Sequence, residues 1–462
     1  MLRSRQVLLA VAGGLTVGVL LILEQLSSRR AHALAPLAFV GLMFVAYSCT
    51  AVQLQRVAVT ASVRLSVVGG ALLQLAALRV SPLNGDDYLR YAWDGRVQAA
   101  GIDPYRYPPG APQLVGLRDA WLFPDGVTPR LNHPTERTIY PPVAQAWFWL
   151  MHVLTGGHGQ GRGLQVGAAF VAVATSAAIV VVLRRVGGDP RRVAWWAWCP
   201  TVVIETGGNG HVDVLASLLV VIALGLLARR HWAGAGVVLG LAVATKLLPA
   251  LLAVTVPPRR AVRVGAAALA AVVLVYLPHV LVLGTGVTGF LGGYLGEESH
   301  QQFDLLKPVL PEIAVRPVGC VLLAVTALLV WRQTAVEDDA GLPPQPWTHG
   351  ATMVGISFIL LEPPYPWYAL LLVPLVALGA RPVWLVVAAA MYLVYAAAPL
   401  GDAYFGTRVL GYGVAAAVVA VDALHRRRRA APADAGPSGD HGGQDAGDST
   451  RPKTSRSYKP TG

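Results

Sequence analysis

The sequence predicts an all-α protein, a polytopic transmembrane helical bundle of about twelve crossings with extracytoplasmic loops and re-entrant helices. Three observations carry that expectation. Of 462 residues, 55% are hydrophobic and only 13% are charged, where a soluble globular chain carries roughly 25% charged residues. The mean hydropathy of +0.53 holds over the whole length, which excludes a soluble domain on a single anchor. Apolar runs recur at lengths near the ~20 residues that span the hydrocarbon core.

The clear candidate spans are 6–25, 35–53, 62–80, 163–183, 193–207, 213–228, 261–283, 317–331, 350–362, 366–380, 382–400 and 408–424. The first follows Arg3 and Arg5 like a signal sequence but shows no convincing small-residue cleavage site, so it reads as a retained helix. Two stretches are ambiguous: 142–155 is short and rich in Trp and Phe, and 233–256 is interrupted by Lys246 and Pro249. Arginine placement decides how they are read. If both return to the side they left, the clusters at Arg184/Arg185 with Arg191/Arg192, Arg229/Arg230, Arg259/Arg260 with Arg263, and Arg426 to Arg429 are all cytoplasmic. Only Arg29/Arg30 then breaks the positive-inside rule. The first stretch therefore reads as an external or re-entrant amphipathic helix. The second reads as a broken hairpin within the membrane, its lysine facing a cavity.

The resulting organisation is N-terminal helices at 1–80, a long first extracytoplasmic loop at 81–162, a transmembrane core at 163–283, a second extracytoplasmic loop at 284–316, C-terminal helices at 317–424 and a tail at 425–462. The tail is rich in Gly, Pro, Asp and Ser and is expected to be disordered, with both termini cytoplasmic in a bacterial plasma membrane. The formal net charge of +12 then reports orientation and gives no reason to expect nucleic-acid binding. Cys49, Cys199 and Cys320 lie in separate apolar runs, so neither a disulfide framework nor a metal-ligand spacing is present. No nucleotide-cradling glycine loop occurs, and no cofactor is implied.

The chemistry must lie in polar islands. The first loop opens with Asn84-Gly85-Asp86-Asp87-Tyr88-Leu89-Arg90-Tyr91 and continues Trp93-Asp94-Gly95-Arg96-Val97-Gln98. Adjacent, partly desolvated carboxylates raise one another's pKa, which suits a general base. Asp87, Arg90, Asp94 and Gln98 share one helical face, although either aspartate of the doublet could instead cap the helix. Tyr140, in Tyr140-Pro141-Pro142, is either a stacking platform or an interfacial anchor. In Glu205-Thr206-Gly207-Gly208-Asn209-Gly210-His211-Val212-Asp213, His211 and Asp213 could orient a phosphate or hydroxyl, or the run is a tight interhelical turn. Lys246 needs an anionic partner if it stays in the membrane, or it snorkels to the interface. The run from Glu297 to Gln302, with Lys307 beyond it, is a closing loop or a solvated charged stretch. Trp367, in Pro366-Trp367-Tyr368, lies in an aromatic turn, and His279 reads as a satisfied core residue.

The doublet run, Trp93-Asp94-Gly95-Arg96, Asp103-Pro104-Tyr105, Tyr140-Pro141-Pro142, Gly210-His211-Val212-Asp213, Lys246-Leu247-Leu248-Pro249 and Pro366-Trp367-Tyr368 together resemble the bacterial GT-C glycosyltransferases. The nearest resemblance is to actinobacterial polyprenyl-phosphate-mannose-dependent mannosyltransferases, and it covers most of the chain up to about residue 424. The three helices ahead of the loop are a departure from many such relatives. The resemblance implies a GT-C-like bundle and an inverting membrane glycosyltransferase using a polyprenyl-phosphate sugar donor, mannose first, and a glycan or glycolipid acceptor. It places the catalytic base at Asp86 or Asp87. Arg90, Asp94, Arg96, Tyr140, His211, Asp213, Lys246, Gln302, Lys307 and Trp367 are then the expected substrate-binding residues, with no metal. The competing class is a transporter or flippase of lipid-linked glycans, which usually carries internal repeats; none stands out here.

Overall fold

The structure is a computed structural model that describes residues 2–27, 34–82, 85–157, 160–289, 291–293, 296, 302–398 and 403–430. Among them the regular elements are all helical, as the composition implies. The chain divides into a unit comprising residues 1–419 and a short second unit from residue 420. The described part of the second unit is the end of a helix that runs on to Ala430, where Arg426 pairs with Asp422 at 3.4 Å. Helix thus extends through Arg426 to Arg429, which the sequence placed in a disordered tail; the rest of that tail lies outside the described residues.

Three helices, α1 (Leu2–Ser27), α2 (Leu34–Leu54) and α3 (Val59–Ala77), precede the first loop. The loop contains α4 (Asp87–Ala99) and α5 (Pro142–Leu154). Then come α6 (Arg162–Arg185), the four-residue helices α7 (Ala194–Ala197) and α8 (Pro200–Val203), α9 (Asp213–Ala228), α10 (Trp232–Val243) and α11 (Pro258–Leu283). The remaining helices are α12 (Glu312–Asp339), α13 (Pro346–Leu361), α14 (Val373–Leu378), α15 (Leu385–Ala397) and α16 (Ala403–Ala430). Among the described residues, α3, α6, α11, α12 and α16 are long and apolar enough to cross a membrane. On α11 and α12 large aliphatic side chains such as Val262, Leu281 and Ile313 stand in the open, as a lipid-facing surface requires.

The apolar run 193–207, expected as one span, is instead broken into α7, α8 and a π-helical turn at Ile204–Gly208. Pro200, which has no backbone N–H to continue a helix, starts α8. The tryptophans bind the pieces into the core: Trp196 Nε1 donates to the Ala172 carbonyl at 2.9 Å and Trp198 Nε1 to the Ser66 carbonyl at 3.0 Å. The stretch 233–256 is interrupted as expected: α10 stops at Val243, Lys246 falls in the gap, and a 3-10 helix with Pro249 runs over Leu248–Thr255.

Two close helix contacts position the polar residues of the first loop and of the break after α10. Helix α10 lies close against α11 because Gly236 and Gly240 leave no Cβ where the Val264 and Ala268 carbonyls sit. Helix α4 lies against α5 in the same way, Gly95 meeting the Phe148 carbonyl. Pro142 opens α5 with its ready-made helical φ, and the Val143 N–H donates to the Ala244 carbonyl at 3.0 Å. That bond brings Tyr140 to the break that carries Lys246. Gly95→Ala is expected to force α4 and α5 apart at a cost of about 1–3 kcal/mol. A thermal melt of the detergent-purified protein should show a lower Tm for it. Gly116→Ala, where a Cβ meets nothing, should leave the melt unchanged.

Candidate active site

Gly85 has φ +75°, a left-handed conformation that lets the chain turn sharply into α4. Asp86 stands at the N-cap position without making a cap bond; its carboxylate turns instead to a residue far along the loop. Asn132 Nδ2 donates to Asp86 Oδ1 at 2.9 Å and to Asp87 Oδ1 at 3.0 Å. Both members of the doublet therefore face the same space. Burial, and then the charge of Asp87, push the Asp86 carboxyl above the ordinary carboxylate range, with the Asn132 bond and His133 acting against them.

One turn further on, Arg90 Nε pairs with Asp94 Oδ1 at 3.1 Å, the two side chains being 5% and 3% exposed. The guanidinium also donates to the carbonyls of His133 at 3.2 Å and Glu136 at 3.0 Å. Gln145, from α5, donates to Asp94 Oδ2 at 2.8 Å and to the Thr138 hydroxyl at 2.9 Å, and Gln98 donates to Gln145 Oε1 at 2.8 Å. Arg90 was expected to hold substrate. It reaches the cavity wall, and its bonds to Asp94 and two backbone carbonyls fasten the 132–137 segment onto α4.

A cavity of about 500 Å³ lies over this segment, lined by Asp86, Asp87, Arg90, Asn132 and Arg137 and by Lys246. Tyr140, Gln302 and Trp367 also reach it, and Leu247, Leu248 and Leu291 give it an apolar side. Lys246 Nζ lies 3.3 Å from Asp213 Oδ2, 5.7 Å from the Tyr140 ring centroid and 5.3 Å from that of Tyr368. Its side chain is 16% exposed, so the ammonium is held by one carboxylate and two aromatic faces while still bordering the cavity.

Of the residues selected from the sequence, Asp86, Asp87, Arg90, Tyr140, Lys246, Gln302 and Trp367 are brought to one cavity. The others are not on its wall. Asp94 is buried in the network around Arg90 and Gln145. Arg96 pairs with Asp119 at 2.6 Å. Asp213 supports Lys246 from behind. His211 is buried, its ring stacked 4.1 Å from Trp367 and its Nε2 3.4 Å from Glu205 Oε2. Trp367 is also stacked at 4.9 Å with Tyr365, so its ring surface serves protein partners as well as the cavity. Lys307 pairs with Asp304 at 2.8 Å. Residues 297–301 lie outside the described residues. His279, expected to be a satisfied core residue, is part-buried and has its partner in Asp103: Nδ1 lies 2.7 Å from Oδ2, which ties α11 to the first loop.

Sequence reasoning passed over Asn132 and Arg137, which line the cavity with the doublet. No periodicity marks Asn132, 46 residues beyond Asp86. Arg137 stands three residues before Tyr140, and that proximity was the available signal.

Residues 138–342, less than half of the chain, match Glycosyltransferase family 87. The match indicates a glycosyltransferase, and with the apolar helices it supports a membrane enzyme. It takes in Tyr140, Lys246 and Gln302 and begins after Asp86, Asp87 and Asn132. No curated protein matches the chain.

Arg90→Met should leave the buried Asp94 without its counter-charge, held only by Gln145, at a cost of about 3–5 kcal/mol. Adding Asp94→Asn should restore part of that loss. A double-mutant cycle of thermal or denaturant unfolding measures the coupling.

Proposed function

We propose that this protein is an inverting glycosyltransferase that moves a sugar, mannose in first place, from a polyprenyl-phosphate donor to a hydroxyl of a glycan or glycolipid on the extracytoplasmic side of a bacterial plasma membrane. The observation that carries the reading is that an acidic doublet and a partly exposed lysine border one cavity with an apolar side. The carboxylates suit an acceptor hydroxyl, the cations suit a phosphate, and the leucines suit the first isoprene units of a carrier.

In the proposed reaction Asp86 or Asp87 takes the proton of the acceptor hydroxyl. The resulting oxygen attacks the anomeric carbon from the side away from the phosphate, so the configuration inverts. The bond between the anomeric carbon and the phosphate oxygen breaks, and its electron pair leaves with polyprenyl phosphate. Lys246 and Arg137 balance the charge that grows on that phosphate, in a site where water is partly excluded. Asp213 and the two tyrosine rings hold the ammonium ready, so little reorganisation is needed when the donor arrives.

Three outcomes are expected in reconstituted vesicles supplied with radiolabelled polyprenyl-phosphate-mannose. Asp86→Asn or Asp87→Asn, whichever removes the base, should lower kcat by about 10²–10⁴-fold. If both variants keep wild-type turnover, the base assignment is wrong. Lys246→Gln should lower kcat/KM for the donor by about tenfold or more, with part of the loss in kcat because the charge it balances grows in the transition state. The third concerns pH. A base must be ionised to act, and the Asp86 carboxyl is raised by burial and by Asp87. If Asp86 is the base, activity should fall on acidification at a pH above the ordinary carboxylate value of about 4. A rate profile with its acid limb at the ordinary value would assign the role to another group.

A further inference from the structure

Asn132 touches both members of the doublet with one nitrogen, at 2.9 and 3.0 Å. A side-chain amide carries two N–H hydrogens, so it can give one to each carboxylate. We infer that Asn132 is the positioning residue of the doublet: its amide holds the two carboxylates convergent on the cavity and offsets their mutual repulsion, keeping one of them ionised to receive the acceptor's proton. The inference rests on the doublet being the base.

The backbone around Asn132 is built to aim it. His133 comes next with φ 45°, a left-handed conformation uncommon for a residue with a side chain. Its carbonyl accepts from Arg90 Nη1 and from the Glu136 N–H, and Arg90 Nη2 holds the next turn through the Glu136 carbonyl. Arg90 is itself fixed by the buried Asp94. Helix α4 thus carries both the doublet and the staple that returns Asn132 to it. The charged groups facing the pair are Arg90, His133, Arg137 and Lys246 on the same cavity wall, with Asp213 behind Lys246 and Tyr395 beside them. Burial and Asp87 raise the Asp86 carboxyl, while the Asn132 amide opposes them. If Asp86 is the base, loss of the amide should move the acid limb of activity to higher pH.

The test uses the full-length protein in vesicles, with radiolabelled polyprenyl-phosphate-mannose and the variants N132A, N132S, N132D, D86N and D87N, assayed across the acid range. N132A is expected to lower kcat by about 10–100-fold, to leave the KM for the donor nearly unchanged and to shift the acid limb upward. N132S, with a single hydroxyl hydrogen, should fall between N132A and wild type. N132D matches the wild-type side chain in shape but adds an acid, and should shift the limb further than N132A. Should N132A fail to fold, the N132S and N132D limbs decide. A wild-type profile in the asparagine variants, or a loss of kcat at an unmoved acid limb, overturns the role of Asn132 while an inactive D86N or D87N leaves the base in place. Wild-type turnover in both D86N and D87N overturns the base itself.

Discussion

The buried Arg90–Asp94 pair is the interaction on which the polar half of this molecule depends. It lies one turn beyond the carboxylate doublet, on the same short helix, and it spends its remaining donors on the carbonyls of His133 and Glu136. A loop of 42 residues, 100–141, separates α4 from α5, and its return to the helix needs an anchor. Arg90 gives it one, by tying its return segment to the helix from which it left. Gln145 completes the arrangement from α5 by binding Asp94 and Thr138 together. A buried ion pair yields little net stability when set against apolar packing, but it demands one geometry. Here that geometry faces two carboxylates and Asn132 into the cavity.

The second constraint is the break after α10. A lysine in an apolar environment must keep a counter-charge, and Lys246 finds Asp213 at the start of α9. The bond from the Val143 N–H to the Ala244 carbonyl lays the start of α5 across the same break, which adds the Tyr140 ring to the lysine's surroundings. The cation and the acidic doublet thus belong to different parts of the chain and meet through α5, which packs on α4 at Gly95 and on the break at Ala244. The proposed donor phosphate and acceptor hydroxyl would meet at the same junction.

Much of this was legible in the sequence. The long apolar runs announced helices, the shortness of 142–155 announced that α5 is not a full-length apolar helix, and Lys246 with Pro249 announced the interruption after α10. These features are local, set by a few neighbouring residues. The run 193–207 was misread as one span because its hydropathy is uniform; Pro200 and three tryptophans that donate or pack across to other helices decide its shape. The site was half legible for a related reason. Residue type shows which side chains can do chemistry, but not which are already engaged. Arg90, Arg96, His211 and Lys307 all pair with acidic side chains of the protein itself, and His279 with Asp103. Asn132 was missed because its significance comes only from a loop that returns to its starting point.

The proposed leaving group of a direct displacement at this cavity is a lipid-linked phosphate. That assignment is tested most directly by supplying the purified protein in vesicles with polyprenyl-phosphate-mannose of known anomeric configuration as the sole sugar source, together with a defined glycan acceptor, and determining the linkage of the product. Transfer is expected in the absence of any sugar nucleotide, with the anomeric configuration inverted. Transfer that requires a sugar nucleotide, or a product that retains the donor's configuration, would contradict the assignment.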